Sequence, residues 1–198
     1  LELIAHEFKS GKEIVIVHGG GPQINAALAL RGLGKEMIGG YRKTSPEVFE
    51  VVQEVLSGQV LRSIVNQLVA LGVNAVGLSA ADGETVRAEK MLVRVDGTPT
   101  DIGLVGEVIS TNPALLRTLI SEGYLPVISP IGVSADGQGL NLNADLVAGA
   151  LGGTLSAERV LYMTDVEGIY RNWPDVDSKI DSICVDELQS LLPTFTEG

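Results

Sequence analysis

The apolar run Ile14-Val15-Ile16-Val17 discharges into His18-Gly19-Gly20-Gly21-Pro22-Gln23, and this junction can do chemistry with backbone alone. Glycines let a ligand approach to main-chain distance. Pro22 suits the first turn of a helix, whose free N–H groups and positive dipole end attract negative charge. Carboxylate or phosphate is the indicated ligand; a tight βα turn with no ligand is the competing reading, since glycine-rich turns are common. The spacing is neither GxGxxG nor a Walker loop, and no lysine follows the glycines, so a cation acting on phosphate has to come from elsewhere.

Two further segments carry polar groups suited to such an anion. Gly39-Gly40-Tyr41-Arg42-Lys43-Thr44 places an arginine in a glycine-hinged loop, where a guanidinium can hold a carboxylate through two parallel hydrogen bonds. A solvated surface arginine is the alternative. In Leu140-Asn141-Leu142-Asn143-Ala144-Asp145 the two asparagines alternate with leucines, so on an extended strand both amides face one way, and Asp145 falls in the first turn of a following helix. Helix capping by Asn143, with Asp145 near the dipole, accounts for two of these residues without a function. It leaves Asn141 unexplained.

These residues need a scaffold, and the hydrophobic pattern supplies one. Leu1 to Lys9 reads as a short amphipathic helix, Ile14 to Val17 as a strand and Pro22 to Arg31 as a helix. A longer helix runs from Pro46 towards Leu71, and Val73 to Leu78 is the next strand. Asp82-Gly83 and Asp96-Gly97 bracket the alternating segments Val86 to Ala88 and Met91 to Val95, which indicate a hairpin annex. Asn112-Pro113 starts a helix ending at Gly123, Leu125 to Ser129 is a strand, Asn143 caps a helix through Leu151, Val160 to Thr164 is a strand and Asp186 to Leu192 a final helix. Strands alternating with helices predict a three-layer αβα sandwich around a mainly parallel sheet, read as one domain. Ligands then collect at the carboxyl ends of the strands, at His18 to Gly21, Ser79-Ala80, Ser129-Pro130 and Thr164-Asp165.

Composition narrows the partners. A net charge of −11 argues against nucleic acid and anionic membrane surfaces, both of which select basic stripes. Cys184 alone cannot build a disulfide framework or a multi-cysteine metal site, and His6 and His18 are too few for a histidine-cluster zinc centre. No stretch is long and apolar enough for a membrane span, the first residues are not a signal peptide, and a reducing cytoplasm is the expected compartment.

The segments VIVHGGGPQIN, GGYRKT, GLVGEV, GYLPVISPIG, LNLNADLVAGAL and LYMTDVEGIYRNWPD, in this order and spacing, resemble the acetylglutamate kinases of the amino acid kinase family. The resemblance covers nearly the whole chain. RNWPDVDS followed by ELQSLLP is most similar to the actinobacterial branch. It implies an αβα fold that transfers the γ-phosphoryl group of ATP, with Mg²⁺, to the side-chain carboxylate of N-acetyl-L-glutamate in arginine biosynthesis, with no protein-bound metal. About 1–150 would be the acceptor-binding half and 151–198 the start of the nucleotide-binding half of one incomplete domain. By resemblance, Gly20 and Gly21 present N–H groups near the acceptor and the moving phosphoryl. Arg42 and Asn141 hold the acceptor's α-carboxylate end. Asp145 orients two lysines on the transferring group, and Asp165, Val166, Glu167, Gly168, Ile169 and Tyr170 border the nucleotide.

The departures set further expectations. The family's two phosphate lysines have no counterpart among Lys9, Lys12, Lys35, Lys43, Lys90 and Lys179, so the chain is expected to be a fragment lacking both ends and inactive by itself. Lys43 replaces an apolar residue usual between the arginine and the threonine. A kinase of carrier-linked aminoadipate or glutamate and a non-catalytic acceptor-binding module are the alternatives. A homodimer or higher homo-oligomer is implied by resemblance, with apolar residues on several faces of the long helix (Val51, Val55, Val60, Leu61, Ile64, Val65, Leu68) as a physical hint.

Overall fold

The computed structural model describes residues 1–195. Leu1–Val160 form one compact unit, and the chain from Leu161 onward forms a second, smaller one. In the first unit α1 (Glu2–Lys9) leads into β1 (Ile16–Val17), α2 (Gly21–Leu30) and the two short strands β2 (Met37–Ile38) and β3 (Tyr41–Arg42). Then come α3 (Pro46–Gln53), a π-helical stretch (Glu54–Val60) and α4 (Leu61–Ala70), followed by β4 (Ala75–Ser79), β5 (Val86–Val95) and β6 (Thr98–Thr111). The unit closes with α5 (Ala114–Ser121), β7 (Leu125–Ser129), β8 (Ile131–Val133), β9 (Gly139–Asn141) and α6 (Ala144–Leu155).

The strands β1, β7 and β4 pair in that order, all parallel, with Val17 opposite Ile128 and Leu78 opposite the same residue on the other side. Successive side chains of a strand point to opposite faces, and β7 shows what each face meets. Leu125 and Val127 pack with Ala5 of α1 and with Leu61, Val65 and Leu68 of α4. Ile128 packs on the other side with Leu116 of α5 and with Val147 and Leu151 of α6. Helices therefore cover both faces of the sheet, and the three-layer αβα sandwich is the observed architecture.

The annex differs from the expected hairpin: Val86 to Ala88 and Met91 to Val95 belong to one continuous strand, β5, whose partner is β6 beyond the turn. Asp96 and Gly97 both take positive φ, the geometry of the two-residue turn that matches strand twist, and join β5 to β6. β8 and β9 then close these two strands into a small barrel. The long helix is not uniform either. Ser45 caps α3 by accepting a bond from the Val48 amide at 3.3 Å, but the turns from Glu54 to Val60 widen into π geometry before α4 resumes. Ser57 in this stretch lies 2.8 Å, oxygen to oxygen, from the hydroxyl of buried Ser129 at the end of β7, which ties the wide turn to the sheet.

The second unit holds the antiparallel pair β10 (Ile169–Tyr170) and β11 (Lys179–Ile180), then α7 (Val185–Leu191). The rings of Tyr170 and Trp173 meet edge to face at 5.0 Å. The strand expected over Val160 to Thr164 is absent: among the described residues no ladder partner lies beside it, and Leu161 and Met163 stand exposed. An apolar run extends as a strand only where a neighbouring chain accepts its hydrogen bonds.

Candidate functional site

The parallel sheet gathers the carboxyl ends of β1, β7 and β4 along one edge, and the glycine run leaves from the first of these. The His18 amide bonds to the Ile128 carbonyl at 3.1 Å, so the chain is held to β7 until the glycines begin. His18 is buried; its Nδ1 donates to the Gly19 carbonyl at 2.9 Å, which settles the tautomer because a carbonyl only accepts. Burial pushes its pKa down, and Nε2 is buried without a partner.

Gly20 is the N-cap of α2, its carbonyl accepting from the Ile24 amide at 2.9 Å. A Cβ on Gly20 would sit 2.8 Å from Leu56 Cδ2 and 3.3 Å from Val60 Cγ2. Both contacts come from the π-helical stretch, so the wide turn and the missing side chain are one arrangement: the helix packs against the main chain itself. Gly21 faces open space, with nothing within 4 Å of the position a Cβ would take. The anion-site reading of this junction requires that opening.

Arg42 ends β3 and pairs across the short hairpin with Met37. Its guanidinium is half-buried, and burial lowers its pKa. Nη2 donates to Asn25 Oδ1 at 2.6 Å, whereas Nη1 is buried with no partner. Among the described residues no carboxylate pairs with it; neighbouring Lys43 instead takes Glu36 at 3.0 Å on the surface. A guanidinium remains charged at neutral pH even when partly desolvated. No carboxylate among the described residues compensates this charge, and Nη1 is shielded from solvent.

Thr44 connects this arginine to the third segment. Fully buried, its hydroxyl donates to the Arg42 carbonyl at 2.8 Å and accepts from Asn141 Nδ2 at 3.4 Å. Asn141 sits on β9 between Ile131 of β8 and Val105 of β6, so the barrel sets its position. The Thr44 main chain is pinned as well: its amide bonds to the Ile102 carbonyl at 2.8 Å, and its carbonyl accepts from the Leu104 amide at 2.6 Å. Between those two residues, Gly103 has φ +84° and no room for a side chain, because a Cβ would lie 2.0 Å from the Thr44 carbonyl oxygen. Gly103→Ala is expected to destabilise the first unit by about 1–3 kcal/mol, since it combines a left-handed backbone with a main-chain clash. Urea unfolding followed by circular dichroism measures it; a midpoint equal to the parent's would show that the clasp yields freely.

The two asparagines of Leu140 to Asp145 part company. Asn143 is consumed by capping, its Oδ1 accepting from the amides of Asp145 at 2.8 Å and Leu146 at 3.1 Å. Asn141 alone faces the arginine loop. Asp145 lies exposed in the first turn of α6, a helix that packs on β1 through Val147 and Leu151 against Val15 and Val17. Asp165, Val166, Glu167, Gly168, Ile169 and Tyr170 belong to the second unit, where Glu167 pairs with Lys179 at 3.2 Å and Tyr170 lies opposite Lys179 in the β10–β11 ladder. The structure thus brings Arg42, Thr44 and Asn141 together and joins them, through Asn25, to the helix that Gly20 caps. Asn25 and Thr44 escaped the sequence reading. Both stand in the segments that carry the resemblance, VIVHGGGPQIN and GGYRKT, and position was a second signal: Asn25 lies one helical turn beyond Gly21, and Thr44 lies on the same side of an extended strand as Arg42.

A cavity of about 570 Å³ is lined by Phe49, Gln53, Ser57, Arg62, Ser79 and Gln138 among others, but by neither Arg42 nor Asn141. No helix among the described residues is long and apolar enough to cross a membrane.

A parallel sheet sandwiched between helices, with a glycine turn at its carboxyl edge, defines an α/β sandwich of three layers. The chain belongs to the amino acid kinase family, whose model matches residues 1–197. It is 48% identical over 188 residues to the acetylglutamate kinase of Corynebacterium efficiens, covering 95% of this chain and 62% of that protein. It is 49% identical to the acetylglutamate kinase of Rhodococcus jostii, covering 95% and 61% respectively. Among solved structures it is similar to N-acetylglutamate synthase of Neisseria gonorrhoeae complexed with coenzyme A and N-acetyl-glutamate, with a TM-score of 0.80 and 25% identity over 99% of this chain and 43% of that one. The chain thus spans about six tenths of the length of the kinases it matches.

Proposed function

We propose that this chain is the acceptor-binding part of an acetylglutamate kinase, which moves the γ-phosphoryl group of ATP, supplied as its magnesium complex, to the side-chain carboxylate of N-acetyl-L-glutamate. The product is N-acetylglutamyl 5-phosphate, in cytoplasmic arginine biosynthesis. The observation that carries the reading is the Arg42 guanidinium, half-buried, free of any carboxylate among the described residues and joined to Asn141 through Thr44. Similarity of about 48% to named acetylglutamate kinases supports the particular substrate.

In the reaction a carboxylate oxygen of the acceptor forms a bond to the γ-phosphorus as the bond to the β–γ bridging oxygen breaks, and ADP leaves with the electron pair. The carboxylate is already ionised at neutral pH, so no general base is needed. A buried neutral His18 is consistent with such chemistry. What the protein supplies is alignment and charge compensation. Arg42 and Asn141 hold the α-carboxylate end. The amides of Gly20 and Gly21 face the reacting oxygens, Asp145 organises cations on the transferring group, and Asp165 to Tyr170 border the nucleotide.

Homo-oligomerisation belongs to the same proposal and rests on family likeness. The apolar hint does not support it, since Val51, Val55, Leu61, Val65 and Leu68 are already buried within the single chain.

The test is ADP release by the full-length protein with N-acetyl-L-glutamate, free glutamate, and carrier-linked aminoadipate or glutamate as acceptors. Turnover confined to N-acetyl-L-glutamate is the expected result. Turnover with the carrier-linked substrate alone would replace the acceptor. The likeness to a synthase structure that holds N-acetyl-glutamate favours one second reading, an acceptor-binding module without phosphoryl transfer. Tight acetylglutamate binding with no ADP release would select it.

A further inference from the structure

The guanidinium of Arg42 is held at one end only, and by a neutral group. Asn25, on the second turn of α2, accepts from Arg42 Nη2 at 2.6 Å, whereas Nη1 is buried and unpartnered. α2 is also the helix that starts at the glycine turn, so this one bond ties the orientation of the arginine to the backbone amides at Gly20 and Gly21. A carboxylate at position 25 would make the same contact but would cancel the charge. An amide fixes the direction of the guanidinium and leaves the full positive charge for a ligand.

We propose that Asn25 is a positioning residue for the acceptor: it locks the Arg42 guanidinium so that Nη1 points at the carboxylate of the bound molecule, and it stays neutral so that this carboxylate meets no competitor. The proposal rests on the reading of Arg42 as an acceptor ligand. It predicts that a single atom change, amide nitrogen to carboxylate oxygen, is more harmful than loss of the side chain. Asn25→Asp places a negative charge against Nη2, forms an internal ion pair and competes with the acceptor. Asn25→Ala merely frees the guanidinium to rotate. A residue with a purely structural role would give the opposite order, because a new partly buried ion pair holds the loop at least as well as the amide does.

Calorimetric titration of N-acetyl-L-glutamate into the full-length protein tests this, with thermal midpoints and the nucleotide KM measured alongside. Asn25→Asp is expected to weaken acceptor binding by about 100-fold and Asn25→Ala by about 10-fold, with midpoints within a few degrees of the parent and the nucleotide KM unchanged. Equal binding by all three proteins would overturn the proposal, as would a weaker affinity in Asn25→Ala than in Asn25→Asp. If the parent itself binds no acetylglutamate, the functional reading fails and the arginine decides separately. Side-chain nitrogen NMR should then show resolved Arg42 Nη signals, from hindered rotation, in the parent and a single averaged signal in Asn25→Ala. Identical spectra would overturn the positioning role.

Discussion

Arg42→Ala in the full-length protein should weaken N-acetyl-L-glutamate binding by about 2–5 kcal/mol, with nucleotide affinity nearly unchanged. Truncation removes the charged donor that the described residues place at the Asn25–Thr44–Asn141 cluster and leaves a ligand carboxylate with neutral donors in a partly closed, partly desolvated site. Arg42→Lys is expected to recover only part of the loss. An ammonium carries the charge, but it lacks the planar fork that can bond Asn25 with one nitrogen and a carboxylate with the other. Burial without an anionic partner costs the arginine part of its hydration, the physical cause of its lowered pKa, and its bond to Asn25 offsets part of that cost. Arg42→Ala should therefore unfold at a midpoint close to the parent's. Isothermal titration and a thermal melt separate the two effects. An unchanged acceptor affinity would remove Arg42 from the site.

Asp145→Asn is expected to lower kcat by about 10²-fold or more and to shift the acceptor KM much less. Its proposed task is to organise cations that matter most when charge builds in the transition state, and a loss confined to that state appears in kcat. The substitution spares the α6 cap. The α6 cap is made by Asn143 Oδ1 with the main-chain amides of Asp145 and Leu146, so an amide side chain at 145 leaves the cap bonds in place. Loss of a carboxylate from the first turn should cost the helix only about 0.3–1 kcal/mol through its dipole. Steady-state kinetics with both substrates varied, beside a stability measurement, distinguish the two accounts. A variant with normal kcat and a small stability loss would reduce Asp145 to a helix-dipole residue.

Local patterns declared most of the scaffold because they act at short range. Ile14 to Gly21 announced a strand end opening into a helix, Asp96-Gly97 a two-residue turn, and Asn143 a cap; all three are decided by neighbours within a few residues. The hydrophobic pattern likewise placed β7 and the helices that sandwich it. The family resemblance, carried by the motif segments that hold them, named Gly20, Arg42, Asn141 and Asp145 as candidates.

Contacts distant in sequence belong to the tertiary structure. No local pattern shows that a hairpin would gather β8 and β9 into a barrel, since closure depends on strands far apart in the chain finding each other's unpaired edges. Nor does periodicity reveal the π-helical stretch, whose wide turn answers to the bare backbone of Gly20. Val160 to Thr164 carries strand-forming side chains but has no ladder partner in the described fold, and strand propensity without a partner does not make a strand. The site follows the same division. Residue types marked Arg42 and Asn141 as candidates, but the links from Asn25 to Arg42 and from Thr44 to Asn141, across separations of 17 and 97 residues, were set only by folding. Chemistry per residue is written locally; which charge is left unpaired depends on what the fold brings beside it.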